Sequence, residues 1–466
     1  MSITNEDVNA ISKDAVVVVV GLGKIGLPLA VQYAQHGHRV IGCDTNPQVV
    51  SAVNKGKSHI LEEPLLEEGV ADVVACGLLS ATSDTAEAVR QARIVVVIVP
   101  VAVNARHEIV FDNIDRATEA IGAGLQPGTL VIYETTLPVG ATSGRLARQL
   151  ERHSRLTAGR DFLLAFSPER VSSGSIFRDL RLYPKVVGGI DKRSTVAAVA
   201  FYRSVLDAEI ITMASADDAE FVKLIETTYR DVNIALANEL AHYADAHGLD
   251  TMAAIAAANS QPYSHIHTPG VGVGGHCIPV YPYFLLAGDL PQPVLTLPRS
   301  ARAINDAMAE YAVQRVEAIT GSLAGRAVLM LGVSYRGDVR ETAFTSARLL
   351  QDALLAHGAS VYVDDPLFEE AELRAEGYIP YGRDKSGPYG CDKSGSHETR
   401  EEICAIILQA NHRAYQSFDF SQFPHCKVVL DGRMALDRQK IEALGMRYVC
   451  IGRPDMDGQV VQGGEK

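Results

Sequence analysis

Residues 15–30 read Ala-Val-Val-Val-Val-Val-Gly-Leu-Gly-Lys-Ile-Gly-Leu-Pro-Leu-Ala. The run Ala15–Val20 is short and almost wholly β-branched, which suits a strand buried on both faces of a parallel sheet. It leads straight into Gly21-Leu22-Gly23-Lys24-Ile25-Gly26 and then an apolar helical pattern through Leu29, Ala30 and Tyr33. In that order Gly21 permits a tight turn, Gly23 lets the backbone approach a pyrophosphate, and Gly26 lets helix and strand pack closely. The helix N-terminus adds N–H donors and positive potential. A glycine triplet alone is a weak signal. Here Arg39-Val-Ile-Gly-Cys-Asp44 supplies a second strand ending in an acid at the expected spacing of ~20 residues. Asp44 is expected to accept hydrogen bonds from the adenine ribose and to repel a 2′-phosphate, so the cofactor is read as NAD rather than NADP.

Further strands are predicted at Ile94–Pro100 and Thr129–Glu134. In open α/β sheets ligands gather beyond the carboxyl ends of the strands, which places Pro100, Val101, Thr135 and Thr136 beside the nicotinamide and the reacting carbon. The next polar segment is Phe166-Ser-Pro-Glu169-Arg170, which by itself reads as a turn after a strand. From Ser215 to Gly248 a capping serine, acids in the first turn and a closing glycine mark one long helix. Val222, Ile225, Tyr229, Val232, Leu236, Leu240 and Tyr243 give it an apolar stripe, with Lys223 beside the stripe and Thr227 one turn on. Further along, Pro269–Pro282 reads PGVGVGGHCIPVYP. Gly274 and Gly275 leave room around Cys277, and Pro279 stiffens the exit. A lone cysteine in an irregular loop is usually inert, and a thiol attacks carbon only as thiolate.

At 466 residues the chain is long enough for two or three domains. Its 47% hydrophobic and 21% charged residues are those of a soluble globular protein, and a net charge of -13 argues against nucleic-acid or membrane partners. Seven cysteines scattered without CxxC pairs give neither a disulfide framework nor a zinc signature, so no metal is expected. The polar, acidic stretch before Ala15 is no signal peptide, and Ala15–Val20 is too short to span a bilayer. A cytoplasmic location is expected. A second α/β unit is predicted from Arg326–Arg336, Ser360–Asp364, Ile403–Leu408 and Lys427–Asp431. It lacks the glycine triplet, so no second NAD site is expected. Residues 381–402 contain DKSG twice and read as a mobile surface loop.

With GLGKIGLP, ETTLPVG, SPER, FVKLIETTYRDVNIALANEL and GVGGHCIP in one order, the chain resembles the UDP-glucose/GDP-mannose dehydrogenase family over residues 13–455. The GGHCIP form resembles the branch acting on UDP-N-acetylhexosamines, UDP-N-acetylglucosamine or UDP-N-acetylmannosamine. The resemblance implies an α/β fold of two Rossmann-like doubly wound domains joined by a long central helix and a helical middle domain. Its three parts would be residues 1–210 for NAD, 211–318 with the lysine, the cysteine and a dimer contact, and 319–466 for the nucleotide of the sugar. It also implies a homodimer paired through the 215–247 helix, although amphipathicity alone fits an intradomain core equally well.

The implied reaction is oxidation of the sugar C6 alcohol to a carboxylate with two NAD, through a thiohemiacetal and a thioester on Cys277. Lys223 matches the family's stabiliser of oxyanion-like intermediates, Glu169 the acid that handles protons or water, and Thr136 the hydroxyl that positions that water. Thr227 takes the place of an asparagine donor. Arg170, Lys223, Gly274, Tyr281, Tyr335 and Arg336 are the implied substrate contacts, with Arg336 near the diphosphate. Where the family carries an aspartate after the cysteine this chain has Tyr281, which cannot serve as a base at neutral pH. Tyr263 stands where relatives place an arginine. Two other readings stay open: a UDP-glucose or GDP-mannose enzyme, and a catalytically altered nucleotide-sugar-binding relative.

Overall fold

Val16–Val20 form β1, and its last four valines are buried. The structure, a computed structural model, describes residues 15–60, 62–104, 106–172, 174–288, 294–382 and 402–453. The predicted loop at 381–402 lies almost wholly outside the described residues. After β1 come β2 (Arg39–Cys43), β3 (Leu79–Thr82), β4 (Ile94–Val97), β5 (Ala102–Val103), β6 (Ile109–Val110), β7 (Leu130–Tyr133), β8 (Leu163–Phe166), β9 (Lys185–Gly189) and β10 (Ile210–Thr212). Eight of these form one sheet in the order β10-β9-β8-β7-β4-β1-β2-β3, and β5 and β6 pair separately as a hairpin. Strands β3 to β8 of that sheet run parallel, whereas β9 pairs antiparallel with β8. The order reverses beside β1, so ligands are expected beyond the carboxyl ends of β1 and β4.

A second sheet is parallel throughout, in the order β12-β11-β13-β14-β15, from β11 (Ala327–Leu331), β12 (Ser360–Asp364), β13 (Ile403–Leu408), β14 (Val428–Asp431) and β15 (Arg447–Cys450). All six residues of β13 are buried, as expected of a central strand covered on both faces. The sheets lie in two compact units, Met1–Glu226 with Tyr283–Pro291 and Thr227–Pro282 with Gln292–Lys466. The first core packs the Gly26–Gln35 and Lys192–Val205 helices on the first sheet, and the second unit has a core on each face of its sheet.

The predicted long helix runs from Ala216 to His247. Ser215 Oγ accepts the Asp218 N–H at 3.0 Å, and Gly248 closes the helix at φ +68°. Apart from Leu224, its buried side is small or polar: Thr227, Thr228, Asp231, Asn238 and Ala241 are buried. Asp231 meets Arg302 at 2.6 Å, and Asn238 donates to Asn305 at 2.9 Å. Most of the predicted apolar stripe faces outward, with Val222 and Val232 half-buried. Ile225, Tyr229, Leu236, Leu240 and Tyr243 are 45%, 58%, 46%, 38% and 58% exposed. Among the described residues no helix is long and apolar enough to cross a membrane.

Near its start the helix is tied to the segment after β7. The fully buried Glu220 carboxylate accepts the N–H groups of Gly140 at 2.6 Å and Thr142 at 2.8 Å. Burial nevertheless dominates and lifts its pKa to about 7. Because the folded value exceeds the unfolded one, its contribution to stability is complete below pH ~4.5 and lost as pH rises to about 7. Urea midpoints measured from pH 5 to 7.5 should therefore carry a decline of up to about 3 kcal/mol, and Glu220→Gln, neutral throughout, should lack that component.

Candidate active site

The loop after β1 takes the shape that its glycines predict. Gly21 sits at φ +96°, where its N–H donates to the Cys43 carbonyl at 2.8 Å, and a Cβ there would meet the Ile98 carbonyl oxygen at 2.9 Å. A Cβ on Gly26 would lie 1.8 Å from the Gly21 carbonyl oxygen, so the helix can approach the strand only through glycine. Around Gly23 there is open space, the room a pyrophosphate needs beside a helix N-terminus. Lys24 is exposed and Ile25 half-buried on the same turn. Asp44 closes the cradle: one carboxylate oxygen accepts the Leu22 N–H at 3.0 Å and the other the Asn46 N–H at 2.8 Å. A carboxylate fixed at both oxygens beside the glycine turn is the donor-facing group that a ribose diol requires, so these residues fit NAD.

Across the switch point, Pro100 is exposed and Val101 buried. Thr135 is fixed by its hydroxyl, which donates to the Val99 carbonyl at 2.7 Å, and Thr136 lies buried beside it. The chain after β8 continues alongside, with the Glu169 N–H donating to the Glu134 carbonyl at 3.3 Å. Glu169 Oε1 accepts the N–H groups of Arg170 at 2.7 Å and Val171 at 3.1 Å. Lys223, from the long helix, donates from Nζ to the Glu169 carbonyl at 2.8 Å. Two residues singled out from separate motifs thus meet at the carboxyl edge of the first sheet. Arg170 is engaged elsewhere, in a forked pair with Glu226 at 3.1 and 3.4 Å and with the Pro184 carbonyl at 3.2 Å.

Lys185 and Glu134 were not singled out from the sequence, yet both contact Glu169 or its partner. Lys185 opens β9 and is 5% exposed, yet its Nζ reaches Glu134 at 2.9 Å and Glu169 at 2.8 Å. Glu134 also accepts the hydroxyls of Tyr33 at 3.1 Å and Tyr202 at 2.6 Å. For Glu169, burial acts to raise the pKa, but the charge and hydrogen bond of Lys185, with the Arg170 N–H, hold it below the usual range. For Glu134 burial prevails over Lys185, and its pKa is raised. A lysine opening an apolar strand carries no local mark of such contacts.

In the second unit, Thr227 is buried on the long helix. The Cys277 loop packs on the segment after β11. Gly275, at φ +101°, donates to the Ala343 carbonyl at 3.0 Å, and a Cβ there would meet the Tyr335 ring at 3.2 Å. A Cβ on Gly274 would lie 2.7 Å from Tyr335 Cβ. These glycines therefore serve close packing against Tyr335, a use that the spacing alone did not reveal. Cys277 is half-buried, and its carbonyl accepts the N–H groups of Val280 at 3.2 Å and Tyr281 at 2.9 Å, which turns the chain into the Tyr281–Ala287 helix. Tyr263 is 92% exposed.

Arg336 is exposed and lines a cavity of about 360 Å³ with Asn411, His412 and Arg413. His412 and Asp365 hold its loop: Asp365 accepts the Val333 N–H at 2.7 Å and bonds His412 at 3.1 Å, and the Asp338 N–H donates to His412 at 2.9 Å. Arg433 was not singled out from the sequence. It is half-buried, donates to the Gln409 carbonyl at 2.6 Å and the Gly272 carbonyl at 3.4 Å, and burial pulls its pKa down to about 10.

Family models match along the chain: the NAD binding domain of the UDP-glucose/GDP-mannose dehydrogenase family at residues 15–206, its central domain at 217–307 and its UDP binding domain at 329–438. A UDP-N-acetyl-D-mannosamine dehydrogenase of Pyrococcus horikoshii is 31% identical, over 94% of this chain and 100% of that protein. An NDP-N-acetyl-D-galactosaminuronic acid dehydrogenase of Ralstonia solanacearum is 35% identical, over 91% of this chain and 97% of that protein. Among solved structures, the Methanosarcina mazei NDP-N-acetyl-D-galactosaminuronic acid dehydrogenase aligns with a TM-score of 0.82 at 30% identity, covering 98% of this chain and 99% of that one.

The cofactor is NAD, and Asp44→Ala should weaken it: titration calorimetry with NAD should give a Kd raised about tenfold or more, as expected for the loss of ~1.4 kcal/mol or more. The three family matches in order, together with relatives above 30% identity across nearly the whole chain, show that it is an NAD-dependent dehydrogenase belonging to the UDP-glucose/GDP-mannose dehydrogenase family.

Proposed function

We propose that this protein oxidises the C6 alcohol of a UDP-N-acetylhexosamine to the uronate, through covalent adducts on Cys277. The observation that carries the reading is the meeting of Lys223 with Glu169, 2.8 Å apart through the Glu169 carbonyl, beside Thr135 and Thr136 at the carboxyl edge of the first sheet. The similarity to UDP-N-acetyl-D-mannosamine dehydrogenases over 94% or more of this chain supports the N-acetylhexosamine class. Residues 1–210 bind NAD, 211–318 carry Lys223, Thr227 and Cys277, and 319–466 hold the nucleotide. When bound, NAD supplies the hydride acceptor, and two are consumed per sugar.

Cys277 captures the C6 aldehyde as a thiohemiacetal and later carries the thioester, which water cleaves to release the carboxylate and the thiol. Lys223 and the Thr227 hydroxyl stabilise charge developing on the C6 oxygen, a contribution on the order of 3 kcal/mol for a preorganised donor. Glu169 takes up protons, and Thr136 orients the water. Arg336, Tyr335 and Gly274 contact the nucleotide end. Arg433 joins them, because a desolvated guanidinium bonded to carbonyls beside Gly272 suits a diphosphate. Tyr281 and Arg170 line the sugar end. The outward apolar stripe at Tyr229, Leu236, Leu240 and Tyr243 docks on a second copy of the chain, giving a homodimer.

Purified protein with NAD and a panel of UDP- and GDP-sugars should form two NADH per UDP-N-acetylhexosamine and yield its uronate. One NADH per sugar would indicate arrest at the aldehyde, and none across the panel would favour a binding protein. Cys277→Ser should keep both ligands bound and lose acid formation by at least about a thousandfold, since removal of a covalent nucleophile typically costs more than that.

A further inference from the structure

Resting on the reading of Glu169 as the proton-handling group, we propose that Lys185 is a positioning residue for it. Backed by Glu134, its ammonium holds Glu169 as an aimed carboxylate, a proton acceptor rather than a donor. Lys185 reaches no reacting atom through its own bonds. Its Nζ is shared between Glu134 at 2.9 Å and Glu169 at 2.8 Å, and its side chain is 5% exposed.

Four further facts support the assignment. The Glu169 side chain is only 9% exposed, so without a cation it would be driven to the neutral acid. Its Oε1 is already bound by two N–H groups while Oε2 faces Lys185, so both oxygens are fixed and the carboxylate plane is set. Glu134 cannot swing away, because Tyr33 and Tyr202 donate to its other oxygen. The ammonium also lies 4.9 Å from the Tyr202 ring centroid, which favours the cation. With Tyr281 no base at neutral pH, accepting a proton from water falls to a carboxylate, and Glu169 is kept in the form that can do so.

The groups facing Glu169 are Lys185 from β9, Glu134 from the end of β7, Tyr33 from the Gly26–Gln35 helix and Lys223 from the long helix, and Tyr202 from the Lys192–Val205 helix faces its partners Glu134 and Lys185. Arg170, next in the chain, is neutralised by Glu226. Lys185 bonds the carboxylate of Glu169, whereas Lys223 bonds its backbone carbonyl.

Removing Lys185 alone leaves two buried carboxylates together, and that variant risks misfolding. Glu134→Gln/Lys185→Met removes one charge of each sign and keeps the net charge of the cluster. The test is the pH profile of kcat for NADH formation by the full-length protein with UDP-N-acetylmannosamine, alongside the thermal midpoint. A base loses activity as pH falls through its pKa. The acid limb of the double variant should therefore move to higher pH by about one unit or more, whereas Glu134→Gln alone, with Lys185 still on Glu169, should not move it upward. Lys185→Arg should restore the wild-type limb. A lowered thermal midpoint with an unmoved limb would reduce Lys185 to a structural residue and overturn the proposal. If Glu169→Gln is inactive while the limb of the double variant stays in place, the proposal fails alone. If Glu169→Gln keeps wild-type activity, it fails together with the reading of Glu169.

Discussion

An ammonium buried between two carboxylates holds the working edge of the first unit together. Desolvating each of these ions costs several kcal/mol, and mutual attraction offsets that only when the geometry is good and the remaining lone pairs are satisfied. Here they are: Tyr33, Tyr202 and two backbone N–H groups complete the shell around Glu134 and Glu169. Breaking such a pair on one side typically costs about 3–5 kcal/mol. The cluster therefore ties β7, β9, the turn after β8 and two helices into one arrangement, and within it Lys185 holds the Glu169 pKa below the usual range.

The two carboxylates answer to the same lysine in opposite ways. Glu134 is sunk at 1% exposure with phenol donors, and burial raises its pKa above the usual carboxylate value despite Lys185. Glu169 sits at the rim with backbone N–H groups on one oxygen and Lys185 on the other, which favour the ion. The same lysine therefore sits between two acids whose pKa values are displaced in opposite directions.

The second unit solves a comparable problem with different parts. Its loop after β11, which carries Tyr335 and Arg336, is held by Asp365 and His412, both buried, through the backbone N–H groups of Val333 and Asp338. The Cys277 loop rests on Tyr335 through glycines that tolerate no Cβ. In both units a strand end meets a loop that backbone hydrogen bonds help to hold in place.

The sequence by itself determined what short-range rules govern. The β-branched runs marked both sheets, the glycine spacing and Asp44 marked the cofactor turn, and the serine and glycine at either end bounded the long helix, because each signal acts over a few residues. Tertiary structure alone decided which charges meet. Lys185 lies 51 residues from Glu134 and 16 from Glu169, and Tyr33 lies 101 from Glu134, separations bridged only by the strand order. It also decided which side of the long helix is covered: periodicity showed that an apolar stripe exists, but packing buried the small polar side, where Asp231 and Asn238 find partners. Local pattern fixes an element and its faces, while long-range packing fixes what each face touches.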